Sequence, residues 1–311
     1  MINLKNFKYV FGPVPSRRMG LSIGISPIAE GHCNYSCIYC QLGRTRSMIN
    51  KREEYFNCNE IIEEFKLYLK DNIDFDVVTI VGEGEPTLYS ELGILIKELK
   101  LLTDKPVAVI TNGALMSDDS VREDLKNADI VLPSLDACND EMFRKINRPY
   151  GSIKFDEIVE GLKIFSKEYS GQLWIETMII KDINDNKEFF INFKKLLSTI
   201  NYHRLYINSP VRPPAEKFVE QPLKDSIREA ISILGGISID ELASEGFYSE
   251  VEDDYEAILS IIKRHPMNQF EIKSFLDKRG TVNIEEILKE LSNDNNIEMI
   301  NYKDYYTYRL K

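Results

Sequence analysis

The segment His32-Cys33-Asn34-Tyr35-Ser36-Cys37-Ile38-Tyr39-Cys40 gathers three of the chain's five cysteines, while Cys58 and Cys138 stand alone. A disulfide framework spreads its cysteines, and a reducing compartment keeps them as thiols, so this clustering points to a metal. The spacing Cys33-x3-Cys37-x2-Cys40 puts three thiolates in one loop. A cubane [4Fe–4S] cluster has four irons, so three local ligands leave one iron open, as catalytic metal sites do. A structural zinc site with His32 as fourth ligand is the rival; adjacent His32 and Cys33 would strain to grip one ion. Cys58 and Cys138 read as packing residues, since a free thiol behaves as a small hydrophobe.

Outward from this loop the chain repeats one unit. Strand-like runs at residues 21–26, 77–81, 107–111, 130–135, 173–180 and 205–207 alternate with amphipathic helical segments. Several are continuously apolar, as expected of strands buried on both faces of a parallel sheet. Ile61, Ile62, Phe65 and Leu69 share one helical face, as do Leu92, Leu95, Ile96 and Leu99, and residues 155–169 and 187–197 have the same period. Repeated βα units with right-handed crossovers predict an α/β fold, a partial (β/α)6 TIM-like barrel. Chemistry in such folds sits at the C-terminal ends of the strands.

The tail differs. A helix at residues 223–234 is followed by Gly235-Gly236 and an acidic stretch at 240–254. Helical patterns at 255–264, 269–278 and 284–292 precede two strand-like pieces, 297–301 and 305–310, around Lys303-Asp304. This order predicts a small winged-helix-like domain. The expected division is a barrel over residues 1–236, an acidic linker over 237–252 and the winged-helix-like domain over 253–311. Lys263, Arg264, Lys273, Lys278 and Arg279 are matched by acids, so the basic face of a DNA reader is not evident.

Bulk properties narrow the function. The formal charge of −11 over 311 residues argues against indiscriminate coating of nucleic acid, though it leaves room for a local basic patch. No apolar run approaches the roughly 20 residues that span a bilayer. The first residues lack the apolar core of a signal peptide. The expectation is a cytoplasmic protein with no membrane role.

CNYSCIYC, residues 33–40, resembles the CxxxCxxC signature of the radical S-adenosylmethionine (radical SAM) superfamily, including an aromatic residue before the third cysteine. The resemblance implies that Cys33, Cys37 and Cys40 hold three irons of a [4Fe–4S] cluster and that S-adenosylmethionine chelates the fourth. Tyr39 would pack near the adenine. Val81-Gly82-Glu83-Gly84-Glu85-Pro86-Thr87 is similar to the family's GGE element, which implies that Gly84 and Glu85 bind the cofactor's ammonium group. Thr111-Asn112-Gly113 ends the third strand candidate, Ser134-x-Asp136 ends the fourth, and Glu176 lies in the fifth. In the family such positions hold the methionyl carboxylate and ribose hydroxyls, roles implied here for Asn112, Ser134 and Glu176. The plain alternative is a structural hydrogen-bond network, because a carboxylate in an apolar strand needs a polar partner.

Phe11-Gly12-Pro13-Val14-Pro15-Ser16-Arg17-Arg18, Gln41-Leu42-Gly43-Arg44-Thr45 and Asn208-Ser209-Pro210-Val211-Arg212-Pro213-Pro214 are similar to a subgroup related to wyosine-type tRNA-modifying enzymes. Those enzymes carry a further cysteine set for a second cluster, which this chain lacks, so the ring-forming reaction itself is not implied. Arg17, Arg18, Arg44 and Arg212 are expected at the barrel mouth, where guanidinium groups suit phosphate or carboxylate. Ion-paired arginines are the plain alternative. The likeness implies a flavodoxin or ferredoxin electron donor, cleavage of S-adenosylmethionine to a 5′-deoxyadenosyl radical, and hydrogen abstraction from a tRNA base. A peptide or protein substrate is the enzyme alternative. A redox-sensing regulator that binds DNA through its tail comes from a different class.

Overall fold

The structure, a computed structural model, describes residues 7–70, 73–239, 247, 249, 251, 253–263, 265–302 and 305–311. Its strands are β1 (Val10–Ser16), β2 (Gly20–Ile25), β3 (His32–Cys33), β4 (Ser47–Met48), β5 (Val77–Ile80), β6 (Val107–Thr111), β7 (Ile130–Pro133), β8 (Gln172–Met178), β9 (Arg204–Asn208), β10 (Ile237–Ser238), β11 (Met267–Asn268), β12 (Ile297–Tyr302) and β13 (Tyr305–Leu310). The helices are α1 (Cys58–Leu69), α2 (Leu92–Leu102), α3 (Asp119–Leu125), α4 (Asp140–Asn147), α5 (Phe155–Glu168), α6 (Lys187–Leu197), α7 (Lys224–Leu234), α8 (Asp254–Ile262), α9 (Gln269–Arg279) and α10 (Ile284–Asn293).

One sheet runs β1-β2-β5-β6-β7-β8-β9-β10, with β1 and β10 as open edges. β1 is antiparallel to β2, and every later neighbour pair is parallel. This is the expected α/β partial barrel, with all six sequence-predicted strands in it. Two-residue alternation sorts the strands' side chains. Val78, Val109, Val131, Ile175 and Leu205 join Phe65, Leu95 and Phe165 in the core beneath the helices. Val77, Ala108, Ile130, Leu132, Trp174 and Tyr206 turn the other way into a smaller apolar plug inside the barrel. Two residues beyond Trp174 and Tyr206, the same inward faces carry Glu176 and Asn208. The barrel interior therefore changes from apolar to polar toward the strands' C-terminal ends.

β1 was not expected as a strand, because Pro13 and Pro15 interrupt it. It is an antiparallel edge, the place a sheet tolerates proline, and its register shifts between Phe11 and Val14. Phe11 lies flat on β2: a Cβ at Gly24 would stand 2.1 Å from its ring.

Strand pairing continues past the boundary expected at residue 236. Ile237–Ser238 pairs parallel with β9, and Ile239 is buried in the inner plug, so the barrel extends through at least residue 239. Most of the acidic stretch lies outside the described residues. The C-terminal segment has its own core of Ile258, Ile261, Met267, Phe275, Leu276, Leu291 and Tyr308. Its helices and terminal hairpin follow the expected order, with β11 added to a sheet ordered β11-β13-β12. A capping box of Asn268 and Glu271 starts α9.

Candidate active site

The loop after β2 carries the cysteines and is sewn to its surroundings through main chain. On one side Gly31 N donates to Glu83 O at 2.7 Å and Glu85 N to His32 O at 3.1 Å. Only glycine allows this approach, since a Cβ at Gly84 would lie 2.0 Å from the His32 carbonyl oxygen. On the other side Ser36 N donates to Asn147 O at 3.1 Å, Ile38 N to Ile146 O at 2.9 Å and Tyr150 N to Asn34 O at 2.8 Å. The end of α4 thus runs alongside the loop, with Arg148 in the left-handed region at φ 45°.

Cys33, Cys37 and Cys40 line one cavity of about 440 Å³ at the barrel mouth. Burial pushes the Cys33 thiol up to about 12, helped by the Glu85 charge. Burial, then Asp136, raises Cys37 well above the ordinary thiol range, and burial raises Cys40. Such sulfurs become thiolates only when a cation binds them directly. His32 is not set beside them as a ligand: its Nδ1 lies 3.1 Å from Glu30 O and its ring packs edge-on against Tyr55. Three soft donors on one wall of an open chamber fit a [4Fe–4S] cluster with one free iron better than a closed tetrahedral zinc site.

The Val81–Thr87 element divides its carboxylates. Glu85 is buried, and its Oε1 accepts from Thr87 N at 3.0 Å, Thr87 Oγ1 at 2.6 Å and Thr111 Oγ1 at 2.5 Å. Its Oε2 accepts from Asn112 N at 2.7 Å. It is a fully engaged structural carboxylate and does not line the cavity. Glu83 does, with its Oε2 accepting from Ser26 Oγ at 3.2 Å and its Oε1 3.0 Å from Lys263 Nζ. Of the expected pair, Gly84 lines the cavity and Glu85 does not, while Glu83 does.

Glu176 lines the cavity, ion-paired with Arg18 and accepting from Asn208 Nδ2 at 3.3 Å. Arg18 Nε is buried with no acceptor among the described residues, a donor left for a ligand oxygen. Ser134 bridges to Glu176 only through main chain and does not line the cavity. Nor does Asn112, whose amide turns toward the cysteine loop. Tyr39 lines the cavity and donates to Asp136 Oδ2 at 2.5 Å. Asp136 Oδ2 also accepts from Asn147 Nδ2 at 2.7 Å, and Oδ1 from Met178 N at 2.8 Å. Burial raises this carboxyl to about 6.

All four arginines, Arg17, Arg18, Arg44 and Arg212, line the cavity. Arg44 forms a two-pronged pair with Glu216, both contacts at 3.0 Å, and Arg148 joins the same carboxylate. Arg212 grips Glu271 with two contacts of 3.2 Å, the Pro266 carbonyl and His265 Nε2 at 2.6 Å. Arg212 thus lines the cavity while clamping the C-terminal segment. That segment roofs the cavity with Ile262, Lys263, His265, Arg309 and Leu310. Tyr305 Oη donates to Val211 O at 3.2 Å, and Arg309 Nη1 to Gln41 O at 3.3 Å. Sequence reasoning missed the roles of Asn147, Glu216, Lys263 and Arg309. No local pattern marks them, since each partner lies far along the chain.

The radical SAM superfamily model matches residues 31–193. A UPF0026 protein of Methanocaldococcus jannaschii is 36% identical over 317 aligned positions, covering 97% of this chain and 96% of that protein. A probable GTP 3′,8-cyclase of Saccharolobus islandicus is 33% identical over 133 residues, 42% of this chain and 39% of that one. A radical SAM methyltransferase from Sphaerobacter thermophilus shares the fold with a TM-score of 0.54 at 15% identity, over 71% of this chain and 67% of that chain.

Proposed function

The chain belongs to the radical SAM superfamily, and on that premise we propose that Cys33, Cys37 and Cys40 hold its [4Fe–4S] cluster and that the cavity beside them takes S-adenosylmethionine and substrate. The superfamily's members are enzymes that use this cluster and S-adenosylmethionine, which favours an enzyme over the redox-regulator alternative. Held by Cys33, Cys37 and Cys40, the cluster would supply one-electron reduction of S-adenosylmethionine and, through it, hydrogen abstraction from the substrate. The observation that carries the reading is the convergence of three thiols, Tyr39, Glu83 and Glu176 on one chamber.

The remaining roles follow from charge and exposure. Glu83 opposes the cofactor's ammonium and sulfonium charge in place of Glu85. Glu176 accepts from ribose hydroxyls while its other oxygen keeps Arg18, whose free Nε–H meets a ligand carboxylate. Tyr39 offers a flat wall for the adenine, its ring held by the Asp136 bond. The roof residues Ile262, Lys263, His265, Arg309 and Leu310 cover part of the chamber, which would limit side reactions of a radical formed there.

A chamber of about 440 Å³ is within the range that holds one drug-sized ligand, so substrate contributes a compact group or enters as the roof lifts. We keep a tRNA base as the substrate class, on the likeness of residues 11–18, 41–45 and 208–214 to the tRNA-modifying subgroup; Arg17, Arg18, Arg44 and Arg212 are among the cations that line the chamber. The chain works in the cytoplasm, reduced by a flavodoxin or ferredoxin, with residues 253–311 as a winged-helix-like unit. Among the described residues no helix is long and apolar enough to cross a membrane. Filter binding of bulk tRNA at low and moderate salt tests the substrate. Binding that weakens steeply with salt supports it, and no binding at low salt, with S-adenosylmethionine cleavage intact, turns the reading to a peptide side chain.

A further inference from the structure

Two asparagine amides stand outside the cavity lining, each against a different cysteine sulfur. Asn112 Nδ2 lies 3.6 Å from Cys33 Sγ, and Asn147 Nδ2 lies 3.6 Å from Cys37 Sγ. The orientation of each amide is set by partners other than sulfur. Asn112 Oδ1 accepts from Ala114 N at 2.8 Å, and its Nδ2 donates to Asn34 Oδ1 at 2.7 Å. Asn147 Nδ2 donates to Asp136 Oδ2 at 2.7 Å, so a flipped amide would press its oxygen against a carboxylate. In both cases the second N–H is the one left for sulfur.

The two arms share one construction. A buried carboxylate holds an asparagine, and the asparagine faces a sulfur. Glu85 accepts from the Asn112 main chain, and Asp136 accepts from the Asn147 side chain. Each carboxylate is thus joined to a cysteine through one asparagine: Glu85 to Cys33 through Asn112 and Asp136 to Cys37 through Asn147. Negative charge and burial both disfavour adding an electron to a cluster ligated there. An N–H directed at the sulfur works in the opposite sense, since it stabilises the more negative, reduced state. Cys40 has no such asparagine among the described residues.

Resting on the reading that these cysteines hold the cluster, we propose that Asn112 and Asn147 are positioning residues that donate N–H···S hydrogen bonds to two ligand sulfurs and so raise the cluster's reduction potential. They offset the two carboxylates that order the loop, keeping the cluster within reach of a cellular reductant.

The test uses the full chain with reconstituted cluster. Asn112→Leu, Asn147→Leu and the double variant are first assayed for iron, then titrated electrochemically with the reduced cluster followed by electron paramagnetic resonance. The expected result is wild-type iron content with the midpoint shifted negative in each single variant. In the double variant the shifts add, because the donors act on different sulfurs. An unchanged midpoint with full iron overturns the proposal and leaves the cluster assignment standing. A wild-type protein that takes up no cluster overturns the assignment instead. Where a variant loses iron, wild-type protein labelled with ¹⁵N in the asparagine side chains decides the matter. A ¹⁵N hyperfine coupling to the reduced cluster supports the bonds, and its absence overturns them.

Discussion

The loop that carries Cys33, Cys37 and Cys40 and the C-terminal segment that roofs the same cavity are fastened to the barrel by different means. The loop is tied by main-chain bonds on both flanks and by two buried carboxylates, Glu85 and Asp136. The roof rests on long side chains: the Arg212 clamp, the Lys263–Glu83 pair and Arg309 on Gln41. Main-chain bonds hold atoms with little side-chain entropy to lose, whereas partly exposed ion pairs are individually weak. The wall that carries the three cysteines is thus the more firmly fastened one, and the roof is the wall that has its own core.

The sharpest way to break this contrast is Asp136→Ala, which leaves Met178 N–H, the Tyr39 hydroxyl and the Asn147 amide without their buried acceptor. A loss of about 3–5 kcal/mol in urea unfolding of iron-free protein is expected, from one to three per unsatisfied buried group with partial relaxation. An effect under about 1 kcal/mol would mean that the carboxylate does not hold the loop. The same variant carries a pH signature. Burial raises the Asp136 carboxyl from 3.8 to about 6, so the folded chain keeps a proton that the unfolded chain releases. That contribution is complete below the unfolded value and is lost as pH rises through about 6. Wild type should therefore lose stability relative to the variant between those two values.

The neighbouring glutamates sharpen the comparison. Glu85→Gln should cost about 2–3 kcal/mol of stability, because one amide nitrogen then faces donors. Cofactor affinity in that variant should change little once the cluster is loaded. Glu83→Gln should do the reverse, weakening S-adenosylmethionine binding by calorimetry with near-native stability. Equal losses of affinity in both variants would erase the distinction between them. Glu176→Gln should weaken binding by about 1.5–3 kcal/mol, the worth of a hydrogen bond to a charged group. Unchanged affinity would return Glu176 to a purely structural part.

The smallest effect belongs to the roof. Arg212→Ala should lower stability by only about 1–2 kcal/mol. It should nonetheless expose the C-terminal segment to limited proteolysis and leave iron content untouched. A loss of iron there would show that roof and loop are coupled after all.

The same contrast explains what could be read from residues alone. The six parallel strands were legible because Ile130–Pro133 is apolar throughout and Val77–Ile80 is apolar but for Thr79, and both are buried at every position. β1 was hidden by its prolines and β10 by its two-residue length, which carries no period. The cysteines declared themselves because their spacing is local. Glu83 and Glu85 did not, since which of them faces the cavity depends on where β5 ends and the turn begins. The part played by Arg212 was out of reach, for its meaning comes from Glu271, 59 residues away.

The central claim is tested most directly by anaerobic reconstitution of wild type and five single variants, with iron and sulfide counted and 5′-deoxyadenosine measured after dithionite reduction with S-adenosylmethionine. Wild type, Cys58→Ala and Cys138→Ala should each hold about four irons and four sulfides and release 5′-deoxyadenosine. Cys33→Ala, Cys37→Ala and Cys40→Ala should lose both properties. A requirement for Cys58, or cleavage that persists in any of the three loop variants, would contradict the three-thiol site.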